Sequence, residues 1–127
     1  MPEPMVVVAE DDDSLRRVLA RRLVAAGFRV DAVSDGVAAL DAVRSARPDA
    51  LLTDLDMPAM DGGALCRQVR ADAELHDLPI VMFSGSQDGP RLTRLLALGR
   101  IALVRKSEGW DNLVGALRRL LADAASA

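Results

Sequence analysis

Short apolar runs recur along the chain, each bounded by turn residues, and between them apolar positions repeat every three or four residues. Residues 5–9, 50–53, 80–83 and 101–104 are almost continuously apolar, which predicts strands buried on both faces. Residues 29–33 alternate instead, the pattern of a shorter, half-exposed strand. Between these runs the period lengthens. Leu15, Val18, Leu19 and Leu23 share one face of a helix from Ser14 to about Ala26, closed by Gly27 as a left-handed cap. Asp35-Gly36 turns into a second helix with Val37, Leu40 and Val43 inward, stopped by Pro48-Asp49. A third helix follows Gly63 with Leu65 and Val69 on one side. Leu92, Leu95 and Leu96 mark a short fourth helix ending at Gly99, and Leu113, Leu117, Leu120 and Leu121 point a fifth inward.

Five strand–helix units joined by short turns predict an α/β fold, a doubly wound parallel sheet with helices on both faces, because parallel crossovers need helices to cover the sheet. In such sheets ligands gather outside the carboxyl ends of the strands. Glu10-Asp11, Asp54 and Ser84 directly follow three of the runs, and Lys106 comes just past the fourth, behind Arg105. One edge of the sheet would therefore combine carboxylates, a hydroxyl and an amine.

Composition sets the class of molecule. The 127 residues are half apolar, with a net charge of -3, which suits one globular domain over residues 1–127 and gives no general nucleic-acid-binding surface. An alanine-rich end invites fraying from about residue 122. The single cysteine, Cys66, excludes an intrachain disulfide framework, and no apolar stretch is long enough for membrane insertion. Met1-Pro2-Glu3-Pro4 lacks a basic start and an apolar signal segment, so the expected compartment is the cytoplasm.

Together, Glu10-Asp11, the segment Asp54-Leu55-Asp56-Met57-Pro58-Ala59-Met60-Asp61-Gly62, Ser84-Gly85 and Lys106 give the chain a resemblance, in order and over nearly its whole length, to the receiver domain of bacterial two-component response regulators. The resemblance is to chemotaxis-regulator-like domains and implies a flavodoxin-like strand order, 2-1-3-4-5. It also implies that Asp54 accepts a phosphoryl group from a sensor histidine kinase or histidine phosphotransfer protein. Asp11 and Asp54 would ligate Mg2+ directly, Glu10 through water and Asp56 through its backbone carbonyl. Lys106 and Ser84 would contact the phosphoryl oxygens, and the face formed by the fourth helix, fifth strand and fifth helix would meet a downstream protein or a second copy. The family couples switching to an aromatic side chain on the fifth strand, where this chain has Leu103, and usually follows the lysine with proline, here Ser107. A trans Lys106-Ser107 peptide is the expectation.

The residue types suit that chemistry. A carboxylate attacking an activated phosphoryl group gives an acyl phosphate. Two carboxylates about 4 Å apart repel by ~4 kcal/mol at an effective dielectric of 20, so the acidic group favours a cation. Magnesium takes hard oxygen ligands and is commonly held by one or two carboxylates plus phosphate oxygens. Two other readings share parts of the pattern. A degenerate receiver would bind partners without phosphorylation. A haloacid-dehalogenase-like phosphatase also uses an aspartate, magnesium and a D-x-D motif such as Asp54-Leu55-Asp56, but its motif normally ends the first strand.

Other polar residues have plain structural roles in this reading. Asp12, Asp13 and Ser14 suit a helix start, and Asp61-Gly62 a turn into a helix. His76 reads as a surface residue and Cys66 as a packing residue. Trp110 would cover the core edge or join an interface. The arginines at 16, 17, 21 and 22 form a solvated face that, by resemblance, would also meet the phosphodonor. Arg91, Arg94, Arg118 and Arg119 are candidates for an output or dimer surface.

Overall fold

The computed structural model describes residues 3–85 and 88–126; Met1 and Pro2, read above for a leader, lie outside them. The chain runs β1 (Met5–Ala9), α1 (Asp13–Ala25), β2 (Arg29–Val33), α2 (Gly36–Ala46), β3 (Ala50–Thr53), α3 (Gly62–Ala71), β4 (Ile80–Ser84), α4 (Gly89–Leu96), β5 (Ile101–Arg105) and α5 (Trp110–Ser126), with a 3-10 turn at Lys106–Glu108. The sheet order is β2-β1-β3-β4-β5 and every pairing is parallel. Val8 lies opposite Leu52, Leu52 opposite Val81, and Val81 opposite Ala102. The strands are therefore level, and their carboxyl ends form one edge.

Successive strand residues point to opposite faces, so each continuous apolar run feeds two cores. Val6, Val8, Leu52, Val81, Phe83 and Val104 pack with Leu19 and Leu23 of α1 and with Leu113 and Leu117 of α5. Val7, Leu51, Ile80 and Met82 pack with Leu40 and Val43 of α2, Leu65 and Val69 of α3, and Leu92 and Leu95 of α4. Helices α1 to α4 each begin behind an aspartate. The carboxylates of Asp12, Asp35, Asp61 and Asp88 accept from the backbone N–H of Leu15, Ala38, Ala64 and Arg91 at 2.8, 2.8, 2.8 and 3.1 Å. Each cap satisfies an orphan donor and sets negative charge at the positive end of the helix dipole. Gly27 follows α1 at φ +100°, as predicted. Helix α5 continues to Ser126, past the point near residue 122 where fraying is expected. Among the described residues no helix is long and apolar enough to cross a membrane.

The inward face predicted for α2 needs correction. Val37 is 46% exposed, whereas Gly36, Ala39, Leu40 and Val43 are buried. A Cβ on Gly36 would lie 2.1 Å from the carbonyl oxygen of Met60, so the helix must present Gly36 to the loop before α3. The buried stripe then runs i, i+3, i+4, i+7 from Gly36, and Val37, about 100° around the helix, faces outward. On α1, Val18 is similarly at the rim, 37% exposed. Val43→Ala is expected to lower stability by about 1–3 kcal/mol through lost burial and a residual cavity. Val37→Ala should change it by less than about 0.5 kcal/mol. Urea unfolding of the two variants checks this, and equal losses would place the buried face of α2 elsewhere.

Candidate functional site

The acidic edge is built from the ends of adjacent strands. The N–H of Glu10, just past β1, donates to the carbonyl of Val33 at 3.1 Å, and that of Asp54, just past β3, donates to the carbonyl of Ala9 at 3.0 Å. These bonds carry the sheet ladder one residue beyond the strands and set the two carboxylates side by side. Both residues are buried, Glu10 at 1% exposure and Asp54 at 9%. Lys106, from the turn after β5, lies between them, with Nζ 3.2 Å from Glu10 Oε1 and 3.0 Å from Asp54 Oδ2. The other oxygen of Asp54 accepts from the Leu55 N–H at 2.7 Å, and Thr53 Oγ1 donates to the Asp54 carbonyl at 2.8 Å. Asp54 is thus held at both carboxylate oxygens and at its backbone.

Charge at this edge is unevenly compensated. Burial, followed by the charge of Asp54, pushes the Glu10 carboxyl up to about 7. Burial alone would lower the Lys106 pKa, but its hydrogen bond to Asp54 and the charges of Asp54 and Glu10 outweigh this and raise it. Lys106 is therefore a fixed cation. Exposed Asp11 completes a group in which Glu10, Asp11 and Asp54 bring carboxylate oxygens within 4.8 Å of one another. Three hard oxygen donors with an open side fit a magnesium ion, which keeps several waters and needs no closed protein cage.

Other predicted site residues take differing positions. Ser84 is buried at the end of β4, in register with Arg105, the residue before Lys106. The carboxylate of Asp56 is outside the acidic group. It is 70% exposed and lies 3.1 Å from Arg91 Nη1. The Lys106-Ser107 peptide is trans. Leu103 packs against the core of α2, α3 and α4.

The loop from Met57 to Asp61 carries features that residue patterns do not reveal. A Cβ on Gly62 would meet the Asp54 carbonyl oxygen at 2.1 Å, and the Gly62 N–H donates to the Leu55 carbonyl at 2.7 Å. The start of α3 is therefore pressed against the backbone of Asp54. Ala59 adopts φ +65°, a left-handed conformation that costs a non-glycine residue roughly 1–2 kcal/mol.

Several other residues are structural. Cys66 is fully buried between Leu65 and Val69, and desolvation pushes its thiol up to about 12. His76 is exposed, beside the Ala73 carbonyl and Asp77. Trp110 packs on the second core, its ring centre 6.1 Å from that of Phe83, with the Arg22 guanidinium 5.6 Å from its ring centre. The arginine face of α1 is partly engaged within the fold, since Arg16 also donates to the Glu10 carbonyl at 3.0 Å. From α5, Arg118 donates to the Ala26 carbonyl at 3.0 Å.

This geometry can be set beside known proteins. Residues 6–118 match the family model described as response regulator receiver domain. The chain belongs to that family. Response regulator MprA from Mycobacterium avium (strain 104) is 35% identical over 116 residues, covering 91% of this chain and 50% of the relative. The receiver thus spans about half the length of the curated relatives it matches. Among solved structures, the chemotaxis response regulator CheY4 of Vibrio cholerae is 26% identical with TM-score 0.84, covering 93% of this receiver and 98% of that chain. The receiver domain of sensor histidine kinase PA1611 from Pseudomonas aeruginosa PAO1 is 25% identical with TM-score 0.85, covering 94% and 98%. That domain was solved with a magnesium ion coordinated in its active-site cleft.

Three expectations follow for this receiver. Gly62→Ala should cost about 1–3 kcal/mol, because the methyl group must displace the Asp54 backbone or tilt α3. Ala59→Gly should cost nothing or stabilise by up to about 1 kcal/mol, since relief of the left-handed strain offsets glycine's chain entropy. Denaturant titration of both variants decides, and equal losses would remove the special status of both positions. Cys66 should resist iodoacetamide at pH 8.5 in the folded protein and react fully in urea. Its folded pKa of about 12 exceeds the ~8.5 of a free thiol. The associated stability is complete below the unfolded pKa and declines as pH rises from there toward the folded value. Rapid alkylation without denaturant would show that α3 opens.

Proposed function

We propose that this receiver is a signalling switch that accepts a phosphoryl group on Asp54 from a phosphohistidine of a histidine kinase or histidine phosphotransfer protein. The observation that carries the reading is the Asp54 carboxylate, buried and aimed by Leu55 and Lys106 within an acidic group that needs a cation. A phosphoryl acceptor must be fixed in line with its donor, and phosphoryl transfer depends mainly on positioning and charge neutralisation. A carboxylate oxygen of Asp54 attacks phosphorus as the P–N bond breaks. The electron pair stays on the imidazole nitrogen, and the ring leaves neutral when its other nitrogen carries a proton.

Lys106, already an ammonium with two partners, can keep Glu10 while it neutralises a phosphoryl oxygen at Asp54. Ser84, at the end of the neighbouring strand, is the hydroxyl donor to a second oxygen. Asp11, Asp54, the Asp56 backbone carbonyl and, through water, Glu10 are the residues that would hold magnesium, which when bound supplies further positive charge to the phosphoryl oxygens. Within this reading the receiver works in the cytoplasm, assists its own phosphorylation and dephosphorylation, and signals to a downstream protein or a second copy through α4, β5 and α5. It does so without binding nucleic acid directly.

Intact-protein mass after incubation with acetyl phosphate, with and without magnesium, tests the proposal beside Asp54→Asn. A single phosphoryl adduct requiring both Asp54 and magnesium is expected. An adduct that survives in Asp54→Asn would move the acceptor elsewhere, and none from either acetyl phosphate or a phosphorylated histidine donor would favour a degenerate receiver that binds partners unmodified.

A further inference from the structure

Four carboxylates at this edge fall into two pairs with separate cations. Glu10 and Asp54 share Lys106 on the inside. Asp56 and Asp61 share Arg91 on the outside, with Nη1 3.1 Å from Asp56 Oδ1 and Nη2 3.4 Å from Asp61 Oδ2. Arg91 stands in the first turn of α4, its N–H capped by Asp88. Its guanidinium crosses to the loop between β3 and α3, where the other oxygen of Asp61 caps α3 through the Ala64 N–H. The fork therefore joins the starts of two helices and touches the carboxylate two residues beyond Asp54. It is the most covered of the three groups, 30% exposed against 70% for Asp56 and 42% for Asp61.

We propose that Arg91 is a positioning residue for the phosphorylation site: from α4 it holds and masks the negative charge of Asp56, so that the location of α4 sets the charge met by cations and phosphoryl donors approaching Asp54. Two residues of chain separate the Cα atoms by at most about 7 Å, and with the side chains added the two charges still lie well inside the ~30 Å Debye length of 0.01 M salt. A freed Asp56 carboxylate is consequently felt at Asp54. It attracts a divalent cation and repels a dianionic donor, so loss of Arg91 moves the two readouts in opposite directions. Disturbed packing would weaken both. The donor half of the proposal rests on Asp54 being the phosphoacceptor, while the cation half does not.

The test compares wild type, Arg91→Ala, Asp56→Asn and the double variant at low ionic strength. Magnesium affinity is followed by fluorescence of Trp110, which lines a small cavity with Lys106 and Phe83. The initial rate of acetyl phosphate labelling is measured at saturating magnesium for each protein. Arg91→Ala is expected to bind magnesium roughly two- to fivefold more tightly and to label roughly two- to fivefold more slowly, the range for a solvent-screened ion pair. Both differences should shrink near ~1 M salt, where the Debye length falls to about 3 Å. Neither should appear when Arg91→Ala is added to Asp56→Asn. Wild-type behaviour in Arg91→Ala, a loss on both readouts, or an effect that persists without the Asp56 charge would each overturn the proposal. A wild type that takes no label while its cation affinity shifts as expected would sink the phosphoacceptor reading and leave the masking of Asp56 standing. A labelled wild type with unchanged cation affinity in Arg91→Ala would do the reverse.

Discussion

Lys106 lies between two carboxylates that the sheet forces together. Because β1 and β3 are adjacent and level, Glu10 and Asp54 must emerge side by side, and the helices above and below leave them little water. At an effective dielectric of 20, two such charges about 4 Å apart repel by ~4 kcal/mol. The compensating ammonium comes from the turn after β5, separated from β3 by the whole of β4. Its stem passes Gly85, where an added Cβ would lie 3.9 Å from Lys106 Cδ. One ion-paired side chain thus ties the end of the edge strand β5 to the interior strands β1 and β3. The tie has a stability consequence, since removing one partner of a buried pair leaves the other charge without compensation.

Most of the frame was legible because its causes are local. Apolar runs of strand length, helical repeats of three and four, and aspartates ahead of helices each leave a mark within a few residues. The candidate site was legible for a related reason: in a level parallel sheet, residues ending different runs share an edge, so Glu10, Asp11, Asp54, Ser84 and Lys106 needed only the strand assignment to be grouped. What escaped depends on backbone meeting backbone across the fold. Nothing in the neighbourhood of Gly36 says that the Met60 carbonyl will occupy the space of its missing Cβ, and for that reason Val37 reads as inward. Gly62 looks like a turn residue, although its smallness is needed against Asp54. The Arg91 bridge to Asp56 and Asp61 likewise depends on where the start of α4 meets the loop before α3.

Stability and chemistry occupy different parts of this receiver. Two apolar cores, one on each face of the sheet, hold the strands along their length, and the acidic edge adds the Lys106 tie only at their ends. That edge concentrates the costs: a buried glutamate pushed up to about 7, an alanine in a left-handed conformation, and carboxylates outnumbering the cations between them. A frame that is stable on apolar grounds can carry such features, and they leave the edge responsive to added positive charge.

Magnitudes limit what each link from this edge can do. Leu103, in place of an aromatic on β5, contacts the core that contains Leu92 and Leu95 of α4, and α4 reaches back to the edge through Arg91. Shifting a two-state equilibrium from 1:99 to 99:1 takes ~5.5 kcal/mol of differential stabilisation. An exposed ion pair such as that of Arg91 supplies at most about 1 kcal/mol. Arg91 can tune the approach of ions to the site, but it cannot by itself move the fold between states. The larger differential has to arise where charges are desolvated and interact several times more strongly. Under the proposed function, that means the groups at Asp54, where Lys106 bridges its carboxylate to that of Glu10.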